Sequence, residues 1–230
     1  MYMKELKLNE LVRMIDISAV QTDSTLEEVK SVIDAAKKYN FVCVFVMPSM
    51  LHYAFDSLKG YDNVGIGGIV GFPSGAETTD MKVYQAEQYK KYGCKEVDMV
   101  MNIGKLKSGL YDDVMDDIMK VKQAVFPLPL KVIIEVALLN DDEIKKAAEL
   151  VLNSGADFVK TGTGWKGSTT MHHVNLIKSV VGKKIKFKVA GGVRTLETLE
   201  EMYNAGVCRF GIGYKSALGI VEECNNRENG

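Results

Sequence analysis

The chain has 230 residues, of which 47% are hydrophobic and 26% charged, and its formal net charge at pH 7 is −1. Such a near-neutral balance argues against a nucleic-acid-binding surface. The apolar stretches also fall short of the roughly 20 residues that a membrane-spanning helix needs, so we expect a globular protein without nucleic-acid or membrane partners.

The N-terminus and the cysteines indicate the compartment. The segment Met1–Glu10 alternates Lys and Glu with leucine and lacks the apolar core of a signal peptide. The four cysteines are scattered without a CxxC pair, which is typical of reduced thiols in a cytoplasmic protein. No metal site is expected, because the neighbouring histidines His172 and His173 would point about 100° apart on a helix. We therefore predict a cytoplasmic protein that uses no metal and no other cofactor.

Strand-like and helical segments alternate along the chain. A short N-terminal helix ends over Asn9–Arg13, and a capping box at Ser24–Glu27, a serine followed three residues later by glutamate, opens a helix to about Tyr39. Later helices are predicted to end at Gly60, to cover 79–92, 111–124 and 140–154, to open at Thr195, and to run through Val221. Strands are predicted at 14–17, 41–46, 64–70, 97–101, 131–137 and 208–211, with strand six carrying Lys160 and strand seven carrying Lys188. The polar tail 224–230 is predicted to be frayed.

Eight strand–helix units in one chain of this length predict an α/β fold, a (β/α)8 TIM barrel in a single domain over residues 1–230. A weak repeat supports the barrel. Three helices are predicted to end at Gly93, Gly155 and Gly206, and a fourth at Asn40, the usual substitute for glycine. Five residues after these positions lie four strand residues: Phe45, Asp98, Lys160 and Gly211. Because alternate strands of such a barrel fill one interior layer, these four residues are predicted to share a layer near the C-terminal mouth.

Lys160 is the first candidate catalytic residue. It ends the apolar strand Phe158-Val159-Lys160 and is followed at once by a loop of glycine and threonine. Burial disfavours an ammonium, so a lysine at this depth tends to be neutral. A neutral amine can attack a carbonyl carbon and form a Schiff base. The alternative is a lysine whose ammonium snorkels to the rim of the barrel.

A second lysine and a carboxylate favour the catalytic interpretation. Lys188 lies one strand–helix unit after Lys160, and two lysines that face one site depress each other's pKa. Asp98 lies between apolar neighbours in strand four and needs an ammonium partner. Asp98 either transfers protons during the reaction or only neutralises a buried lysine. Asp16, at the mouth of strand one, either supports Lys188 or caps its own strand.

Two glycine turns predict an anion site. Gly191-Gly192 precedes the helix at Thr195, and Gly211-Ile212-Gly213 precedes the last helix. Loops after strands seven and eight, together with a helix N-terminus, are the usual phosphate site of this barrel, and Arg194 would add positive charge. The alternative is that these glycines only permit tight turns.

The chain resembles the deoxyribose-phosphate aldolase family, and the likeness runs nearly from end to end. The motifs that carry it are Gly71-Phe72-Pro73 with Gly75, Glu96–Val100, Asn102–Gly104, Leu106–Gly109, Leu130–Glu135, Ala156–Thr161 and Ala190–Thr195. Members of this family are class I aldolases that join acetaldehyde and glyceraldehyde 3-phosphate. The resemblance implies a (β/α)8 barrel, no metal, a small sugar-phosphate or aldehyde substrate, and a homo-oligomer, frequently a dimer.

The resemblance also assigns residue roles. Lys160 would be the Schiff-base lysine, Lys188 the second lysine and Asp98 the proton-transfer carboxylate, with Asp16 supporting Lys188. The predicted substrate- and phosphate-binding residues are Thr161, Gly191, Gly192, Arg194, Gly211 and Gly213.

The chain departs from the family pattern at positions that bear on the substrate. Where the family usually has the serine of a Lys-Thr-Ser-Thr-Gly loop, this chain has Gly162. It has Phe45 in place of a small cysteine on strand two, and Val136 in place of the threonine after Glu135. The serine-bearing turn after strand eight reads Gly211-Ile212-Gly213-Tyr214. Each lost hydrogen bond to a charged group costs about 1.5–3 kcal/mol, enough to weaken phosphate binding tenfold or more. Lys166 or Lys215 would compensate.

Three hypotheses follow. The first is a deoxyribose-phosphate aldolase with an altered phosphate turn, and the second is a related Schiff-base aldolase for another acceptor aldehyde, including an unphosphorylated one. The third is a catalytically weak barrel that is kept for binding a sugar phosphate or for assembly. The presence of Asp98, Lys160 and Lys188 in one chain argues against the third, because a buried cationic pair is destabilising unless it is used. The small number of histidines disfavours a metal-dependent aldolase.

Overall fold

The computed structural model describes residues 4–230, so residues 1–3 of the predicted domain lie outside the described residues. The strands are β1 Ile15–Ala19, β2 Cys43–Val46, β3 Gly65–Val70, β4 Glu96–Val100, β5 Leu130–Ile133, β6 Phe158–Lys160, β7 Lys186–Ala190 and β8 Arg209–Gly213. The α-helices are α1 Leu8–Val12, α2 Leu26–Tyr39, α3 Leu51–Ser57, α4 Thr79–Tyr92, α5 Ile103–Lys107, α6 Tyr111–Val125, α7 Asp141–Asn153, α8 Met171–Val181, α9 Leu196–Asn204 and α10 Tyr214–Asn229. Short 3-10 turns cover Pro48–Met50 and Val136–Leu138.

The eight strands form a closed barrel in the order β1 to β8, with helices between them, which confirms the predicted (β/α)8 fold. Neighbouring strands pair in parallel, as β1 does with both β2 and β8. In the part that carries the candidate site, Asp98 is in register with Lys131. Lys160 is in register with Ile133 on one side and with Lys188 on the other. Pairing alone thus places the two predicted catalytic lysines side by side.

The chain divides into two compact units, and Gly68–Gly192 forms the one that contains β4 to β7. Two of its helix starts are capped by side chains: Thr78 accepts from the backbone of Met81, and Asn140, where a helix start was predicted, forms a capping box with Glu143. Between α4 and α6 a fully buried Lys82 donates to Asp117 at 2.6 Å and to the carbonyl of Val100 at 3.1 Å. The ammonium of Lys82 thus has two partners in this interior, whereas Oδ1 of Asp117 is buried without a hydrogen-bond partner among residues 4–230.

The other unit comprises the residues up to Gly67 and Val193–Gly230. It contains the C-terminal segment, where the prediction of a frayed tail over 224–230 is wrong, because α10 continues to Asn229. Arg227 donates to both carboxylate oxygens of Glu200, at 3.0 and 2.9 Å, and to the carbonyl of Leu6 at 2.6 Å. Cys224 is buried on the same helix. These contacts hold the polar C-terminal sequence in place. The predicted single domain over residues 1–230 stays a prediction.

Helix ends confirm the repeat that was predicted from glycine spacing. Asn40, Gly93, Gly155 and Gly206 all have positive φ, at 60°, 93°, 79° and 107° respectively. This left-handed conformation ends a helix and is easiest for glycine. No helix described for residues 4–230 has both the length and the apolarity needed to cross a bilayer.

Two local predictions are corrected. The N-cap of α2 is Thr25, whose hydroxyl accepts from the backbone of Glu28, so the helix starts one residue later than a capping box at Ser24 requires. The predicted strand 131–137 stops at Ile133. It stops because Glu135 adopts a left-handed conformation with φ 49°, and a 3-10 turn follows.

Candidate active site

Lys160 lies at the C-terminal end of β6, and its side chain is 9% exposed. The preceding residues Phe158 and Val159 are buried, so the short apolar strand carries the amine into the protein interior. The Nζ of Lys160 donates to Oδ2 of Asp98 at 2.7 Å. The predicted contact between strands four and six is therefore present, and the snorkelling alternative for this lysine is wrong.

Lys188 on β7 shares the same carboxylate oxygen. Its Nζ donates to Oδ2 of Asp98, also at 2.7 Å, and its side chain is 1% exposed. Asp98 itself is fully buried on β4. One oxygen thus receives two ammonium-type donors from adjacent strands, which holds the amines of Lys160 and Lys188 at one point.

A third lysine completes the group, and it was not among the predicted site residues. Lys131 on β5 is fully buried and donates to Oδ1 of Asp98 at 3.1 Å. It also forms an ion pair with Oε1 of Glu96, a buried residue two positions before Asp98 on the same strand. The sequence contained one signal for it, a lysine between the apolar residues Leu130 and Val132, where a partner is required.

Burial and the neighbouring charges together determine the protonation states of Asp98 and Lys160. Burial alone would raise the pKa of Asp98, but Lys131, Lys160 and Lys188 outweigh it and hold that pKa well below its usual range. Burial lowers the pKa of Lys160 to about 8; Asp98 opposes this shift, and Lys188 and Lys131 add to it. Asp98 is therefore an ionised carboxylate, and a substantial share of Lys160 is a neutral amine at mildly alkaline pH.

The residue after the catalytic candidate is fixed by hydrogen bonds inside the protein. The hydroxyl of Thr161 donates to the carbonyl of Ala190 at 3.1 Å and accepts from the backbone of Ala190 at 3.0 Å. The hydroxyl of Thr169 donates to it at 2.8 Å. These contacts use the donor and both acceptors of a hydroxyl and hold the ends of β6 and β7 together. The predicted contact of Thr161 with substrate stays a prediction.

Glu135 also supports the loop after β6. Its buried carboxylate accepts from the backbone of Thr163, at 3.3 and 3.2 Å, and from the hydroxyl of the same residue. A Cβ at Gly162 would lie 2.9 Å from Oε1 of Glu135, so this glycine leaves room for the carboxylate. Glu135 ends one of the motifs that carry the resemblance, but its contact with Thr163 was not predicted.

The two predicted glycine turns differ in conformation. Gly191 and Gly192 have φ 89° and 86°, values that require glycine, and a Cβ at Gly192 would lie 2.6 Å from the side chain of Ser168. Gly211 belongs to β8, and Gly213 is exposed as the N-cap residue of α10. Arg194 is exposed immediately before the N-cap of α9. The phosphate-binding roles of these residues stay predictions.

Asp16 is buried on β1, where Arg209 donates to its Oδ1 at 2.6 Å. Arg209, on β8, was not singled out in the sequence, and the predicted support of Lys188 by Asp16 stays a prediction. Phe45 on β2 is also buried, and it is in register with Gly67 on β3. A Cβ at Gly67 would lie 2.2 Å from two atoms of the Phe45 ring, so the absence of a side chain at Gly67 makes room for the large residue.

Comparison with known proteins agrees with this geometry. Residues 10–214 match the model of the DeoC/LacD family aldolases. The chain is 41% identical over 216 residues to the deoxyribose-phosphate aldolase of Sinorhizobium medicae, an alignment that covers 94% of this chain and 87% of the relative. It is 44% identical over 200 residues to deoxyribose-phosphate aldolase 1 of Staphylococcus aureus, covering 86% and 90% of the two chains. A crystal structure of a putative deoxyribose-phosphate aldolase from Coccidioides immitis superposes with a TM-score of 0.90 at 33% identity, covering 96% of this chain and 88% of that one. The chain therefore belongs to the DeoC/LacD family of aldolases.

Proposed function

We propose that the protein is a class I aldolase that cleaves 2-deoxy-D-ribose 5-phosphate reversibly into acetaldehyde and D-glyceraldehyde 3-phosphate, with Lys160 as the Schiff-base residue. The observation that carries this proposal is the pair of buried lysines on one oxygen of Asp98. Burial and the nearby cations lower the pKa of Lys160 to about 8 despite the carboxylate, which gives the nucleophile that this chemistry requires. Family membership and the curated relatives support the same reaction class.

The steps follow from the placement of the three groups. The neutral amine of Lys160 adds to the aldehyde carbon C1, and loss of water from the carbinolamine leaves a protonated Schiff base. A base removes the proton from the hydroxyl on C3, the C2–C3 bond breaks, and its electron pair enters the Schiff base to give an enamine. Glyceraldehyde 3-phosphate leaves, C2 of the enamine takes up a proton, and water releases acetaldehyde. Asp98 and Lys188, which contact each other at 2.7 Å, are the groups assigned to these proton transfers.

We assign phosphate binding to the backbone donors of Gly191, Gly192 and Gly213, with further contacts from Gly211 and Arg194. Gly213 directly precedes α10, a helix of 16 residues, and a helix N-terminus favours an anion. The backbone of Gly191 and Gly192 is in a conformation that requires glycine. Asp16 is proposed to support Lys188, and Thr161 to contact the substrate.

One observation favours a second candidate function. The junction of β8 and α10 reads Gly213-Tyr214 and offers no serine hydroxyl for a phosphate. An aldolase for an unphosphorylated acceptor aldehyde would have the same amine chemistry. Comparison of kcat/KM for 2-deoxyribose 5-phosphate and 2-deoxyribose distinguishes the two: a large preference for the phosphate supports the first candidate, and equal values support the second.

Reductive trapping tests the role of Lys160 directly. Sodium borohydride with acetaldehyde should attach a reduced two-carbon group to the peptide that contains Lys160, detected by mass spectrometry. Lys160→Ala should lose both the adduct and cleavage, and Asp98→Asn should trap slowly. Lys186→Ala is a matched control, because Lys186 is an exposed lysine at the start of β7. An adduct elsewhere, or full activity of Lys160→Ala, would remove the proposed mechanism.

We further propose a homodimer in the cytoplasm. Met81 and Tyr84 on α4, and Met119 and Phe126 on and just after α6, are each more than half exposed, and large apolar side chains of this kind are typical of subunit contacts. The four cysteines are free thiols, in keeping with a reducing compartment. Analytical ultracentrifugation should give a dimer that Tyr84→Lys weakens; a monomeric wild-type protein would contradict the proposal.

A further inference from the structure

Five charged side chains form one buried cluster around Asp98. Glu96 and Asp98 come from β4, Lys131 from β5, Lys160 from β6 and Lys188 from β7. Their side chains are 8%, 0%, 0%, 9% and 1% exposed, respectively. The proposed mechanism uses three of these groups and leaves Glu96 and Lys131 without a role.

The cluster has unequal numbers of acids and bases. Two carboxylates face three lysines, so the net charge is +1 when every group is ionised and zero when one lysine is neutral. In a weakly polarisable interior an unbalanced charge is costly. The neutral member should be Lys160. Lys131 has two carboxylate partners, whereas Lys160 shares one oxygen of Asp98 with Lys188, and burial lowers the pKa of Lys160 to about 8.

We propose that Glu96 and Lys131 are positioning residues that act through Asp98, keeping the cluster electrically balanced only when Lys160 is a neutral amine. This inference rests on the proposed Schiff-base role of Lys160. It adds the two residues that prepare that lysine for attack.

The contacts around Asp98 show how the two residues act. Lys131 donates to Oδ1, whereas Lys160 and Lys188 both donate to Oδ2. Lys131 therefore draws on part of the carboxylate charge that would otherwise stabilise the ammonium form of Lys160. Glu96 forms an ion pair with Lys131 and limits this competition. Lys131 is also among the cations that lower the pKa of Lys160, after burial and Lys188.

Other charged groups near this part of the fold have their own partners. The carboxylate of Glu135, beyond the loop after β6, is bound by the backbone and hydroxyl of Thr163. Asp16 in the other unit has Arg209 as an ion-pair partner and so forms a balanced pair. Within the unit Gly68–Gly192, Asp98, Lys131 and Lys188 are the charged groups that act on Lys160, and Glu96 acts through Lys131.

The test is the pH dependence of trapping in Glu96→Gln, Lys131→Met and the double variant. The rate of adduct formation with acetaldehyde and cyanoborohydride, measured from about pH 6 to pH 10, follows the neutral fraction of Lys160. Loss of the Lys131 charge should move the rising limb of the profile to higher pH by about one unit, because Asp98 then holds the Lys160 ammonium more strongly. Loss of the Glu96 charge should move it to lower pH by a similar amount. The double variant should lie between the single ones.

The directions of the shifts decide between charge balance and simple structural support. If both residues only support the fold, each variant lowers the amplitude and leaves the midpoint in place, or both midpoints move the same way; either result overturns the inference. Glu96→Gln retains the shape of the side chain, so its downward shift is required even if Lys131→Met folds poorly, as monitored by circular dichroism. Absence of trapping at Lys160 in the wild-type protein would refute the proposed function itself, which is a separate outcome.

Discussion

Replacing the proposed catalytic lysine should make the protein more stable. In Lys160→Met a side chain of similar length loses its charge. The lysine has a pKa of about 8 in the folded protein, against an ordinary value of 10.5, chiefly because it is buried. At neutral pH, burying the Lys160 ammonium lowers the free energy of unfolding by about 3 kcal/mol. We expect Lys160→Met to gain stability of that order at pH 7.

The gain should depend on pH in a defined direction. Between pH 8 and 10.5 the unfolded chain binds more protons at Lys160 than the folded protein does, so this group makes the free energy of unfolding rise with pH. Below pH 8 the cost is fully present, and above 10.5 it disappears. The advantage of Lys160→Met should therefore be largest at pH 7 and small at about pH 10.5.

Urea denaturation of both proteins at pH 7, 8.5 and 10 measures this difference. Lys30→Met, at an exposed position in α2, is the matched control and should change the free energy of unfolding by less than about 0.5 kcal/mol at every pH. If Lys160→Met were less stable than the wild-type protein at pH 7, or gained equally at every pH, the reasoning from burial and charge would be wrong.

Three further predictions concern stability. Asp117→Ala should lower the free energy of unfolding by about 3–5 kcal/mol in urea denaturation, because it leaves the buried Lys82 ammonium without its carboxylate. The double variant Asp117→Leu with Lys82→Met should lose less stability. A larger loss in the double variant would contradict the explanation. Gly67→Ala should destabilise the protein by about 1–3 kcal/mol, because its Cβ would lie 2.2 Å from the Phe45 ring, and Phe45→Leu should recover part of the loss. Glu135→Gly should be more stable than Glu135→Ala by about 1 kcal/mol in thermal or urea melts, since both lose the carboxylate but only glycine adopts φ 49° without strain; equal stabilities would refute this.

The sequence predicted the barrel because strands, helices and helix-ending glycines recur along it. The predicted helix 79–92 agrees with α4, and Thr78 and Gly93 at its ends show why: a side-chain cap starts it and a left-handed residue ends it. The contact between Asp98 and Lys160 was also predictable, from the equal spacing of these residues after their glycines. Both correct predictions rest on signals in short stretches of sequence, namely the residues that end a helix and the spacing that follows them.

The residues that were missed depend on register and backbone conformation. Lys131 contacts Asp98 because β4 and β5 pair with these two residues opposite each other, and the spacing after helix-ending glycines gives no information on strand five. Glu135 ends β5 through a left-handed conformation that residues other than glycine rarely adopt, so its side-chain type gave no signal. The ordered tail was missed because its polar sequence is held by an ion pair from Arg227 to Glu200, a distant position in the chain.

Phe45 and Gly162, two residues that depart from the family pattern, fit the packing around them. Phe45 is large where the family has a small residue, and the residue in register with it is a glycine whose missing side chain gives the ring its space. Gly162 is small where the family has serine, and a side chain there would approach Oε1 of Glu135 to 2.9 Å. The amines of Lys160 and Lys188 lie at 2.7 Å from Asp98 in the same structure. The altered residues therefore leave the amine chemistry in place, and the comparison of 2-deoxyribose 5-phosphate with 2-deoxyribose tests whether they change substrate preference.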